Sequence, residues 1–108
     1  MNLSSKHCIP CEGGVDPFTP DVVHTYLLDT SGWDADRENK KISRTFKFKN
    51  FSEAMSFVNK VADLAESEGH HPDIRISYNK VSLDLTTHAI KGLSENDFII
   101  ASKINLIS

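Results

Sequence analysis

The sequence predicts an α+β fold: a single four-stranded antiparallel sheet with three helices packed on one face, in the order α-β-β-α-β-β-α. Three observations predict it. Two stretches alternate apolar and polar residues, Lys41 to Lys49 and Ile74 to Leu85, the second around a short polar break. Between them, apolar residues recur at helical spacing over 52–68, and Gly69 and Pro72 then close that run. Helix-start chemistry also occurs twice, at Thr19-Pro20-Asp21 and at Ser94-Glu95-Asn96-Asp97.

The first helix is capped by Thr19, with Pro20 at its first position and Asp21 complementing the N-terminal dipole. Val22, Val23, Tyr26 and Leu27 supply its apolar stripe, and His24 lies on the solvated side. Thr30-Ser31-Gly32 ends the element and Trp33 opens a short strand. Trp33 can anchor the core or stand in a ligand wall, and the core reading is preferred. After a turn at Arg37-Glu38-Asn39-Lys40, Ile42, Arg44, Phe46 and Phe48 point one way and Lys41, Ser43, Thr45, Lys47 and Lys49 the other. Lysines and aromatics on opposite faces do not make a nucleic-acid stacking platform, which needs both on one surface.

The longest helix, 52–68, presents Ala54, Met55, Val58, Val61, Ala62 and Ala65 to the sheet. A hairpin follows. With Asn79-Lys80 as its loop, Tyr78 faces Val81, Ile76 faces Leu83 and Ile74 faces Leu85. Continued, this register sets His71 opposite His88, where directly opposed Cβ atoms lie about 4.5–5.5 Å apart. Lys91-Gly92-Leu93 connects to the last helix, whose stripe is Ile100, Ala101 and Ile104 and whose start holds Asp97 in a capping role.

The 108 residues suffice for one domain with its own core, divided here into an arm (1–18) and a folded domain (19–108). A net charge of −3 provides no broad basic face, so direct nucleic-acid binding is not expected. No apolar run approaches the ~20 residues of a membrane span, and the first residues lack a signal-peptide core. A cytoplasmic setting is therefore expected. Cys8-Ile9-Pro10-Cys11 is followed by loop residues, and Cys8 and Cys11 are read as reduced and unliganded on the arm.

Chemistry-bearing residues gather at Glu66, His70-His71-Pro72 and Thr86-Thr87-His88. Gly69 ends the long helix at His70, and Pro72 extends the chain at His71. Glu66, four residues before His70, is placed to favour the imidazolium of that ring. Imidazole, with an ordinary pKa near 6.5, can donate or accept a proton near neutrality. A metal is not expected. Adjacent residues in an extended segment point to opposite sides, whereas zinc sites use His-x-His on strands or His-x-x-x-His on helices.

These residues, at this spacing, resemble the pterin-4a-carbinolamine dehydratase (4a-hydroxytetrahydrobiopterin dehydratase) family. The resemblance runs over Cys8-Ile9-Pro10-Cys11-Glu12-Gly13-Gly14, Gly32-Trp33, Phe46-Lys47-Phe48, Glu66, His70-His71-Pro72, Tyr78-Asn79, Thr87-His88 and Gly92-Leu93-Ser94 with Asp97. It implies a hydro-lyase that removes water from a 4a-hydroxytetrahydropterin to give the quinonoid dihydropterin, without metal or other cofactor, in tetrahydropterin recycling. It also implies His70, His71 and His88 as active-site histidines and Glu66 as their carboxylate. Thr86, Thr87 and Pro72 would complete the pterin contacts. On this reading His70 and His88 form the acid/base pair and His71 mainly holds substrate. The chain departs from many members at Ile74, where an aromatic residue is common. The resemblance further implies a homodimer or homotetramer. Animal members also act as dimerisation cofactors for a homeodomain transcription factor, so a non-catalytic dimerisation or regulatory module is the rival reading, its protein partner unknown.

Overall fold

A computed structural model of the chain describes residues 2–10 and 13–108. Its elements are α1 (Pro20–Leu27), β1 (Asp34–Ala35), β2 (Ile42–Lys47), α2 (Phe51–Glu68), β3 (Asp73–Ser77), β4 (Lys80–Leu85) and α3 (Glu95–Ile107). Single 3-10 turns stand at Leu3–Ser5 and His88–Ile90. The strands form one antiparallel sheet in the order β1-β2-β4-β3, so the expected α-β-β-α-β-β-α architecture is present.

The sheet has one apolar and one polar face because β2 and β4 alternate in register. Ile42 pairs with Leu85, Arg44 with Leu83 and Phe46 with Val81. Ile42, Phe46, Val81, Leu83 and Leu85 are buried against the helices. On the other face Asp84 accepts hydrogen bonds from Ser43 Oγ (2.6 Å) and Arg75 Nη1 (2.5 Å), with Lys41 Nζ at 4.0 Å. Burial pushes the Asp84 carboxyl up, but the Arg75 and Ser43 bonds outweigh it and hold the group below its ordinary range. Lys41, just before β2, therefore borders a locally compensated carboxylate.

Thr19 caps α1 by accepting from the Val22 N–H, with Pro20 behind it. Trp33 is in the core, its Nε1–H donating to Asn105 Oδ1 at 2.9 Å and its ring edge-on to Phe46. Asn50 caps α2 through the Glu53 N–H, one residue earlier than the apolar pattern suggests. The buried stripe of α2 is Ala54, Phe57, Val61 and Ala65, which corrects the expected one. Ala62 is exposed, and Phe57 takes the inward position, its ring 4.7 Å from that of Phe46 and 5.0 Å from that of Phe48. At 100° per residue, position 62 falls on the flank of a stripe centred on 54, 57, 61 and 65.

The hairpin register also needs correcting. Tyr78-Asn79 forms the turn, so Ser77 pairs with Lys80, Ile76 with Val81 and Ile74 with Leu83. The reason is tertiary. Asn79 Nδ2 donates to the Phe48 carbonyl (2.9 Å) and the Phe48 N–H to the Asn79 carbonyl (2.8 Å), which fixes the turn to the end of β2. Tyr78 accepts a φ of 51° as the cost. A shift of two residues keeps every side chain on its expected face.

In α3 the expected Ile100, Ala101 and Ile104 are buried, but so are Phe98 and Ile99. A helix apolar on most sides needs cover on most sides. α2 covers one side, and the N-terminal segment another: Leu3 is in the core and Lys103 Nζ donates to the Ser4 carbonyl. The rings of Phe18 and Tyr26 cover Phe98. Further along the arm, the Cys8 N–H donates to Glu68 Oε1 (2.8 Å), while His7 Nδ1 (2.9 Å) and Lys103 Nζ (3.5 Å) approach Glu68 Oε2. The Cys8 bond, followed by His7 and Lys103, holds the Glu68 carboxyl below its ordinary range against the opposing effect of burial.

Two outcomes are expected. Phe57→Ala removes the ring that joins Phe46 and Phe48, and urea unfolding should register a loss of about 3–5 kcal/mol. Because the folded-state pKa of Glu68 is lowered, its stabilisation is present above the unfolded value near 4.3 and disappears as pH falls through the folded value. Glu68→Gln should thus be less stable than the parent chain by about 1–3 kcal/mol at pH 7. In unfolding titrations run at stepwise lower pH, that gap should begin to narrow below about pH 4.3 and close only once the folded-state value has been passed.

Candidate active site

A cavity of about 630 Å³ opens where the end of α2, the chain after β4 and the first turn of α3 meet. Six of the seven residues expected at the site line it: Glu66, His70, His71, Thr86, Thr87 and His88. Pro72 is not in the lining; it stands just before β3. Ile74 is also outside, packed against the core at the sheet edge. Cys8, Ile9 and Pro10 of the arm and Asn96 of α3 complete much of the remaining wall.

Gly69, at φ 67°, ends α2 in the left-handed conformation, its N–H donating to the Ala65 carbonyl at 2.9 Å. His70 and His71 therefore lie beyond the helix and no longer follow its side-chain spacing. Here the sequence expectation fails: Glu66 does not reach His70. Glu66 Oε2 lies 2.5 Å from His71 Nε2, with both side chains more than half exposed. The carboxylate at His70 is that of Asp97, whose Oδ1 is 2.6 Å from Nε2.

Asp97 is fully buried, and its second oxygen accepts from Thr87 Oγ1 (2.8 Å) and the Ser94 N–H (3.0 Å). Since the Thr87 hydroxyl gives its proton to Asp97, the Ser94 hydroxyl donates to Thr87 Oγ1 at 2.7 Å. Asp97 thus fills the expected helix-start role, and its other oxygen does what the sequence reading missed. With that oxygen accepting, His70 Nε2 carries a proton and Nδ1 is the nitrogen left for chemistry.

His88 opens the 3-10 turn after Thr87, which forms an isolated bridge with Gly92. A Cβ on Gly92 would stand 2.5 Å from Pro17 Cβ, so this loop closes only around glycine. The His88 side chain is exposed, and its ring makes no hydrogen bond among the described residues. The corrected register takes His71 away from the position opposite His88, because the β3–β4 ladder ends at the Asp73–Asp84 pair. Both rings nevertheless border the same cavity. Thr86 Oγ1 donates to the Lys40 carbonyl at 2.6 Å and so ties this end of β4 to the start of β2.

Among the described residues, no three His, Cys, Asp or Glu side chains group as metal ligands. The Cys8 thiol is pushed up to about 12, first by burial and then by the charges of Glu68 and Asp97, so it remains protonated at neutral pH. Cys11 lies outside the described residues. No helix of the structure is long and apolar enough to cross a membrane among those residues.

The Pterin 4 alpha carbinolamine dehydratase family model matches residues 16–107. A Halorhodospira halophila protein named for pterin-4-alpha-carbinolamine dehydratase is 44% identical over 107 residues, covering 99% of this chain and 98% of its own. The mitochondrial pterin-4-alpha-carbinolamine dehydratase 2 of Arabidopsis thaliana is 43% identical over 96% of this chain and 58% of that one. Among solved structures, the transcriptional coactivator/pterin dehydratase from Brucella melitensis superposes with a TM-score of 0.81 at 36% identity, covering 85% of this chain and 98% of that chain. A pterin dehydratase-like RuBisCO assembly factor of the α-carboxysome shares the fold at a TM-score of 0.61 and 19% identity, covering 70% and 88%. With the matched span running from before α1 to the last turn of α3, this chain belongs to the pterin-4a-carbinolamine dehydratase family.

Proposed function

We propose that the chain is a 4a-hydroxytetrahydropterin dehydratase, releasing water and the quinonoid dihydropterin by histidine acid/base catalysis within pterin recycling. The observation that carries this reading is the convergence of His70, His71 and His88 on one cavity, with His70 braced by buried Asp97. In the reaction the C4a–O bond breaks as the hydroxyl gains a proton and leaves as water. The N5–H proton goes to a base, and its electron pair forms the C4a=N5 bond. One proton enters and one leaves, so no redox partner is required. His70 and His88 share the two transfers. His70 offers Nδ1 from a fixed ring and His88 an exposed imidazole that can re-equilibrate with water. His71 and Glu66 form the outer part of the wall and hold substrate with Thr86 and Thr87.

The setting that accompanies this reading is cytoplasmic, with a homodimer or homotetramer as the working form. β3 is an open edge strand, and Ile76 on it is 41% exposed, a surface suited to pairing with another copy.

The test is formation of quinonoid dihydropterin from a synthetic carbinolamine, measured against the spontaneous rate. His70→Ala and His88→Ala should each lower kcat/KM about 100-fold or more, while His71→Ala should act mainly on KM. Asp97→Asn should lower kcat at least tenfold and change the shape of the pH–rate profile, because an amide can donate to His70 and select the other tautomer. Full activity in a folded His70→Ala/His88→Ala chain would sink the mechanism. A parent chain with no rate above background would instead favour the non-catalytic binding module.

A further inference from the structure

One part of the cavity wall is built by the arm, and it differs in chemistry from the rest. Among the described residues, Ile9 and Pro10 have the largest apolar side chains in the lining, Cys8 being smaller, and both also border a second cavity on the arm's other side. Ile9 is 73% exposed, yet its backbone is held on both sides by one buried side chain: its N–H donates to Asn96 Oδ1 (3.1 Å) and its carbonyl accepts from Asn96 Nδ2 (2.7 Å). The preceding residue is tied to Glu68 through the Cys8 N–H. Past the cavity, Gly13 lies against the turn that begins with His88, its Cβ direction 3.6 Å from the Ala89 carbonyl oxygen. Asn96 is the neighbour of Asp97, so the first turn of α3 fixes His70 with one residue and the arm with the next.

A flat bicyclic heterocycle needs polar groups at its edges and apolar cover on its faces. The histidines and threonines supply the former; among the lining side chains, Ile9 and Pro10 are those able to supply the latter. We infer that Ile9, with Pro10, is the apolar platform against which one face of the pterin ring rests, and that Asn96 is a positioning residue holding that platform at a set distance from His70. This inference rests on the dehydratase reading for its ligand class.

Two measurements on the full chain test it: steady-state turnover of the synthetic carbinolamine, and equilibrium binding of 7,8-dihydropterin followed by fluorescence. Ile9→Ser sits at an exposed position and should leave thermal unfolding nearly unchanged. It should raise both KM and the dihydropterin Kd about tenfold, with kcat falling less than threefold. Asn96→Ala should raise KM by a similar factor, but by less than twofold when added to Ile9→Ser, because it acts through Ile9. A purely structural Asn96 would instead give effects that multiply in the double variant, and that result overturns its positioning role. If the parent chain turns over and Ile9→Ser keeps KM and Kd within twofold, the platform is wrong and the dehydratase reading stands. If the parent binds dihydropterin without turnover, the dehydratase reading fails while a tenfold loss of binding in Ile9→Ser supports the platform. A parent that neither turns over nor binds overturns both.

Discussion

The hydrogen bonding of one buried carboxylate sets the arrangement of this protein's site. Asp97 has no exposure, and a charge removed from water must recover its hydration from protein donors. Its donors come from three places in the chain: Thr87 just after β4, Ser94 at the cap of α3, and His70 beyond the end of α2. The N-terminal turn of α3 adds the positive end of its dipole. Capping the helix, closing the Thr87–Gly92 loop and orienting an imidazole are therefore one requirement. Losing any donor would leave the carboxylate under-satisfied in a low-dielectric interior, where such a defect is costly.

The sheet contributes rigidity to that junction. β4 is paired on both sides and carries Val81, Leu83 and Leu85 into the core, so its last residue delivers Thr86, Thr87 and His88 from a well-fixed strand end. α2 approaches from the other direction and stops at Gly69, where the left-handed backbone turns His70 toward α3. Functional groups placed at the ends of packed elements are held more closely than groups in the middle of long loops.

Most of this order was legible because it is encoded locally. Thr19-Pro20, Gly69, Pro72 and the Ser94 to Asp97 interval act within a turn of where they stand, and the alternation in β2 and β4 needs no knowledge of partners. What was not legible depends on residues distant in sequence. The hairpin turn follows the Asn79–Phe48 bonds rather than the turn preference of Asn79-Lys80. Glu66 looked placed for His70 only while His70 was assumed to continue the helix. Asp97 read fully as a cap, since the oxygen outside the capping bonds, Oδ1, answers to a residue 27 positions away. The breadth of burial on α3 likewise depends on Leu3 and Phe18, which nothing in the helix's own pattern announces.

The two adjacent histidines show how a single backbone break can separate two duties. Past Gly69 the helix has ended, and the side chains of His70 and His71 meet different carboxylates. One enters the Asp97 network, where its ring is 13% exposed and its orientation is set by a hydrogen bond that is itself buried. The other meets Glu66 at the surface, in a pair whose members are 56% and 78% exposed. An exposed pair of that kind contributes only about 0–1 kcal/mol, little enough for an arriving ligand to displace it. A fixed imidazole suits proton transfer, which gains from groups already aligned before the reaction begins. A loosely held one suits capture and release, which require that contacts be exchanged. The division between chemistry and holding thus follows from which carboxylate each ring meets, and that follows from where Gly69 ends the helix.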